Sequence, residues 1–153
     1  MATFENNPRI TPFLWFDSNA EEAVELYLTI FKNSRRLGEA RDSRSPKDAP
    51  LTVSFELEGQ QFIALNGGPM YQFTEAISFL VRCDSQAEVD YYWAKLSAGG
   101  SEGRCGWLKD KFGVSWQIVP AQLPHLIRHP KAMQAMLGMK KLDIAELERA
   151  AKE

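Results

Sequence analysis

Hydrophobic and polar positions follow two rhythms along this chain, and the rhythms come in the same order twice. "ITPFLWF", Ile10 to Phe16, is β-branched and aromatic, which predicts a strand. In "DSNAEEAVELYLTIF", Ala20, Ala23, Val24, Tyr27 and Phe31 recur at helical spacing and form one apolar face. Ser18 with Glu21 predicts a capping box at the start of that helix. "NSRRLGEARDSRSPKDAP" is polar and ends at Pro50, predicting an edge strand and then a solvated loop. In "LTVSFELEGQQFIALN", Val53, Phe55 and Leu57 alternate with Thr52, Ser54, Glu56 and Glu58. That period of two, broken at Glu58-Gly59, predicts a hairpin with one wet face.

The second cycle starts with "AISFLVRC", Ala76 to Cys83, another strand. "DSQAEVDYYWAKLSAGG" is a helix that stops at Gly99-Gly100. "GRCGWLKDKFGVSWQIVP" reads as strand, turn and strand, with Asp110-Lys111-Phe112-Gly113 as a turn whose charges sit in solvent. Alternation puts Val114, Trp116 and Ile118 on one face and Ser115, Gln117 and Val119 on the other. "DSNAE" at Asp17 matches "DSQAE" at Asp84, and the stripe Val89, Tyr92, Trp93, Leu96 follows Ala23, Leu26, Tyr27, Ile30 after a one-residue slip. These matches predict a duplicated unit of strand, helix and three strands.

The predicted fold class is α+β. One domain spans 1–153, with a first βαβββ module at 8–75, a second at 76–120 and a helical C-terminal extension at 121–153. A sheet with a helix on one face leaves the other face open. Two such modules side by side form a curved mixed sheet around a shared cavity. The extension reads as short helices broken at Pro124, Pro130 and Gly138. Its Met133, Met136, Leu137 and Met139 are apolar enough to dock on the body or on another subunit.

Composition narrows the functions. With 44% hydrophobic and 25% charged residues among 153, the chain is globular, and a net charge of −2 gives no nucleic-acid surface. No apolar run is long enough to span a membrane, and "MATFENNPRI" lacks the pattern of a signal peptide. Cys83 and Cys105 have no metal-type spacing and sit in apolar runs, as reduced, partly buried cysteines of a cytoplasmic protein do. Lys109 and Lys111 lie near Cys105, but the hairpin has no histidine to act as base. His125 and His129 are four apart without an intervening glutamate, which reads as surface or interface histidines. "NGGPMYQF" and "SAGGSEGRCG" do not open a helix after a buried parallel strand, so they read as turns and no cofactor is expected.

The double β-α-β-β-β order, with "ITPFLWFD", "FIALNGGP", "AISFLV", "EVDYYW" and "CGWLKDKFGVSWQIVP", resembles the PhnB-like proteins. These carry the 3-demethylubiquinone-9 3-methyltransferase domain label and belong to the vicinal oxygen chelate superfamily, with glyoxalase I, bleomycin-resistance proteins and extradiol dioxygenases. The resemblance runs from about Ile10 to Pro120. It implies paired modules, a cavity in each U-shaped sheet and a homodimer. In metal-using relatives, strand residues hold a divalent ion against two neighbouring substrate oxygens. The corresponding strands here offer Thr11 and Pro12, Ile63 or Ala64, Ser78 and Phe79, and Gln117. Gln117 alone is a ligand type, and a neutral one, so no metal is expected.

The resemblance thus implies a ligand-binding set of Gln117, Trp107, Asn66, Ser115, Pro12 and Ser78. Asn66 also reads as a turn residue before Gly67-Gly68, and Trp107 as ordinary core. No catalytic residue is assigned. Three functions remain open: a metal-free module binding a small, aromatic or quinone-like molecule, a metal-dependent isomerase or lyase using Gln117, and an assembly protein with a vestigial cavity. Methyl transfer finds no sequence support.

Overall fold

The computed structural model describes residues 3–45 and 47–153. Pro46 of the predicted loop lies outside the described residues. The chain forms two compact units that divide between Gln72 and Phe73.

The first unit contains β1 (Phe13–Phe16), α1 (Ala20–Ile30), β2 (Ser34–Ala40), β3 (Thr52–Leu57) and β4 (Gln60–Asn66). Its sheet order is β1-β4-β3-β2, with β1 parallel to β4 and the other pairs antiparallel. The period-two run does form a hairpin. Val53, Phe55 and Leu57 are buried, and Glu58 and Gly59 take positive φ (49° and 85°), as a tight two-residue turn requires. The apolar stripe of α1 packs on this buried face, where Tyr27 stacks on Phe55 and Phe55 on Phe62. Charge protects the exposed edge strand β2, through Arg35 on Glu56 and Arg36 on Glu21.

The second unit repeats the plan with β5 (Phe79–Cys83), α2 (Gln86–Ser97), β6 (Ser101–Glu102), β7 (Trp107–Lys109) and β8 (Ser115–Pro120). Its order, β5-β8-β7-β6, is that of the first sheet, again with the first strand parallel to its neighbour. Helix α2 buries Val89, Trp93 and Leu96 against the sheet, and the Trp93 indole donates to Glu102 (2.8 Å). Both leading strands begin later than expected: Ile10 and Ile77 are exposed and precede the paired residues.

Two local expectations need correction. Ser85 accepts from the Glu88 amide and Glu88 from the Asp84 amide, so the second helix has reciprocal capping. The first does not. Its N-cap is Asn19 with no side-chain cap, and the Ala20 amide donates to Asn66 Oδ1 across from β4 (2.9 Å). Glu21 is drawn instead to Arg36 (3.1 Å). The 110–113 turn is the other case. Asp110 is 2% exposed, and its carboxylate accepts from the amides of Phe112 and Val114 and from the Trp116 indole. A short side chain that bonds the backbone two residues on builds this turn from within, so it does not stand in water.

The extension forms α3 (Leu123–Leu126), α4 (Pro130–Leu137) and α5 (Ile144–Ala151). The helices do separate at Pro130, which opens α4, and at Gly138, which caps it; Pro124 sits inside the first turn of α3, where an amide hydrogen has no partner anyway. Docking is on the second module. Leu123, Leu126, Met136, Leu142 and Leu147 bury together with Val119 of β8. The Gln86 amide side chain clasps the linker before α5, donating to Leu142 O and accepting from Ile144 N. Among the described residues no helix is long and apolar enough to cross a membrane.

Candidate functional site

Strand register decides which side chains share a surface. In the second sheet, Trp107 lies directly opposite Gln117 and Lys109 opposite Ser115. Leu80 lies beside Gln117, and Ser101 opposite Lys109. Residues in register point to the same face, so Leu80, Gln117, Ser115, Trp107, Lys109 and Ser101 share the face away from α2. The opposite face carries Leu108, Trp116 and Ile118, all buried. The alternation read along β8 therefore matches its burial, apart from Val119 and Ser115, which are covered on the second face.

On the open face, Gln117 Nε2 donates to Ser78 Oγ (2.8 Å). Trp107 is half-buried, and Leu80 is 58% exposed. Beside them lies a hollow of about 250 Å³, walled by Glu75, Ser101, Gly103, Trp107, Lys109 and Ser115. Ser115 is 1% exposed and its Oγ has no hydrogen-bond partner. A buried hydroxyl without a partner costs about 1–3 kcal/mol, so such groups are rare in a finished core. At the mouth Lys109 pairs with Glu75, and its ammonium holds the Glu75 carboxyl below the usual carboxylate range by hydrogen bonding and charge.

Four of the six sequence-derived positions thus fall in this unit. Ser78, Trp107, Ser115 and Gln117 share or border one surface. Pro12 and Asn66 belong to the first unit. The Pro12 carbonyl accepts from Ile63 N just before β1. Asn66 has the parity of Ala64, which is fully buried toward α1. Its amide is committed there, accepting from Ala20 N and donating to Pro50 O. Sequence reasoning missed Lys109 and Glu75. The signal was available for Lys109, which shares the parity of Trp107 two residues earlier; the sequence marks it only as a cation near Cys105.

The first unit's open face is aromatic. Trp15 donates its indole hydrogen to Gly68 O (2.9 Å) and meets Tyr71 edge-on. A wide hollow of about 600 Å³ lies beside Ile63, bordered by Phe4, Asn7, Arg9 and Thr11. Elsewhere, His125 and His129 are both exposed, and Cys83 is buried, its thiol pushed up to about 12 by desolvation and by the nearby Glu88 and Asp84 carboxylates. No group of three or more His, Cys, Asp or Glu residues among the described residues can hold a metal ion.

Two mixed four-stranded sheets of identical topology, each with a helix on one face, define a protein of the glyoxalase/bleomycin-resistance fold. Residues 8–119 match the model of the family described as 3-demethylubiquinone-9 3-methyltransferase, and the chain belongs to that PhnB-like family. Among solved structures it is similar to the PhnB protein from Bacillus cereus, at 31% identity and a TM-score of 0.68, covering 74% of this chain and 100% of that one. The fold also matches protein PA1353 from Pseudomonas aeruginosa, at 21% identity and a TM-score of 0.62, covering 74% of this chain and 98% of that one. A third likeness is the fosfomycin resistance protein FosX from Listeria monocytogenes, solved with Mn(II) and sulfate, at 16% identity and a TM-score of 0.56, covering 79% of this chain and 98% of that one. No curated protein matches.

Proposed function

We propose that this protein binds a small planar molecule, aromatic or quinone-like, on the open face of the β5–β8 sheet, and does so without a protein-held metal. The observation that carries the reading is Ser115, a buried hydroxyl without a partner on the wall of a hollow that also holds Trp107. An indole offers a flat apolar surface and a lone hydroxyl offers orientation, the usual division of labour in small-molecule sites.

A metal-dependent isomerase or lyase is the competing reading, because FosX was solved with Mn(II). The donor set here does not fit that ion. Gln117 and Ser78 are neutral and bonded to each other, and Pro12 and Ile63 offer no ligand atom on their side chains. Methyl transfer, which the family's description implies, lacks its cradle as well. The turns from β1 to α1 and from β5 to α2 read Asp17-Ser18-Asn19 and Asp84-Ser85, with no glycine to admit a cofactor phosphate or nucleotide. A homodimer in the cytoplasm completes the proposal. Phe13 and Leu80 are exposed on the edge strands β1 and β5, and both cysteines are free.

A thermal-shift screen of single-ring aromatics and quinones tests the reading. A ligand at about 100 times its Kd stabilises the native state by about 2.7 kcal/mol, a rise of several degrees. The rise is expected to vanish in Trp107→Ala and to shrink in Ser115→Ala. Stabilisation that is unchanged in both variants, or absent across the screen, overturns it. Stoichiometric metal in untagged protein that is lost on Gln117→Ala would establish the competing reading.

A further inference from the structure

The wall of the β5–β8 hollow carries one cation beside an aromatic ring and a covered hydroxyl. We propose that the ligand it accepts is a monocyclic aromatic acid, whose carboxylate takes the place of Glu75 at Lys109, beside the Ser115 hydroxyl, while its ring lies against Trp107. This rests on the binding reading above and adds the charge and the size of the ligand.

Size comes first. The hollow holds about 250 Å³. That is below the roughly 300–1,000 Å³ of drug-sized sites and above the roughly 150 Å³ that admits benzene. One substituted ring fits, and a long apolar tail does not. Spacing is next. Trp107 and Lys109 are two residues apart on one strand and share a face, which separates their Cα atoms by about 7 Å. A ring on the first and a carboxylate at the second span that distance in a benzoate. Ser115 faces Lys109 across the adjacent strand, so the hydroxyl lies beside the acid-binding end of the hollow.

Charge decides between an acid and a neutral ring. Lys109 keeps 42% of its side-chain surface and Glu75 59%, so both partners of the pair are largely hydrated. Exposed pairs of this kind hold weakly and exchange readily. Glu75 therefore serves as a stand-in anion over the mouth, and a carboxylate that also buries a ring displaces it. Removing that anion frees Lys109, directly opposite Ser115, whose Oγ has no partner.

The test is an amide-resonance titration of the full chain with 4-hydroxybenzoate, 4-hydroxybenzyl alcohol and cyclohexanecarboxylate. The acid is expected to shift the resonances of Trp107, Lys109 and Ser115 and to bind about tenfold or more tighter than the alcohol. Added salt should weaken the acid alone. Glu75→Gln should tighten the acid by removing its competitor, and Lys109→Met should erase the difference between acid and alcohol. Equal affinity of acid and alcohol at the same residues overturns the inference and leaves the binding reading standing. Equal affinity of the aromatic and the aliphatic acid overturns the aromatic part. If none of the three probes shifts these resonances, the binding reading and the inference fall together. The comparisons among ligands use the unmodified protein, so they hold even if a variant fails to fold.

Discussion

Asp110 is the side chain on which the β7–β8 turn depends, and its removal has a calculable cost. Oδ1 accepts from Phe112 N (2.9 Å) and Val114 N (3.1 Å), and Oδ2 accepts from Trp116 Nε1 (2.9 Å). Both Asp110 and Trp116 are buried, so water cannot replace a lost partner. Asp110→Asn keeps the shape but has a single acceptor oxygen. It serves the two amides or the indole, never both. One charge-assisted bond worth about 1.5–3 kcal/mol goes, and a buried donor is left facing an NH2 group. The expected loss is about 3 kcal/mol, a large part of the roughly 5–15 kcal/mol that holds a domain together. Trp116→Phe removes the donor that the asparagine cannot satisfy. In that background Asp110→Asn should cost about 1.5 kcal/mol less than in the native chain, a coupling that a double-mutant cycle isolates. Urea unfolding followed by far-ultraviolet circular dichroism measures all four proteins. An Asp110→Asn cost below about 0.5 kcal/mol, or the same cost in both backgrounds, would refute the argument.

Four further outcomes follow from individual side chains. Asn66→Ala removes both the acceptor for Ala20 N and the donor to Pro50 O, so it should cost about 1–2 kcal/mol; Ser85→Ala, which removes one cap bond, should cost about 1, both read from urea midpoints. Gln86→Ala releases Leu142 O and Ile144 N, and hydrogen exchange in α5 should quicken while that of β5 and β8 stays unchanged. The Cys83 thiol is raised from 9.0 to about 12 in the folded chain, so the unfolded chain gives up its proton first as pH climbs. Native stability should therefore fall as pH rises above about 9, and the fall should be shallower in Cys83→Ala, by comparison of urea midpoints at about pH 8 and about pH 10.

Periodicity carried the fold. Val53, Phe55 and Leu57 reported a half-buried strand because side chains on a strand alternate, and the stripe on α1 reported a helix because its face is all that the sheet covers. The duplication was legible for the same reason, in the repeated "DSNAE" and "DSQAE". Local motifs were less secure, because a distant residue can outbid a near one. Ser18 and Glu21 have the spacing of a cap, yet Asn66, far along the chain, takes the helix terminus and Arg36 takes the glutamate. Asp110 shows a second limit. In a sequence an aspartate between lysines reads as solvated charge, and only the folded hairpin brings the Trp116 indole to it. For the candidate site, parity put Ser115 and Gln117 on one face of β8, whereas Glu75 reaches the hollow from a segment outside the regular strands, where no period applies.

The two modules share a frame, and what differs between them is why the proposed binding surface falls on the second. In the first, Gln61 Oε1 on β4 is the buried atom without a partner, away from Trp15, while the Trp15 indole is spent on Gly68 O and the Asn66 amide on α1 and Pro50. Gly67 reinforces that use, since a Cβ there would come within 2.4 Å of the Trp15 ring. In the second, the helix caps itself through Ser85 and Glu88, so no strand side chain is drafted to do it. Trp107 is not tied down by a loop in the way Trp15 is, and Ser115 and Lys109 face the hollow with an unused hydroxyl and an exchangeable partner. Duplication gives two copies of one scaffold, and a copy whose structural needs are met locally leaves its sheet free to hold a ligand. The physical content of that statement lies in the hydrogen bonds: groups already satisfied by the fold have nothing to offer a guest, and groups left unsatisfied by it do.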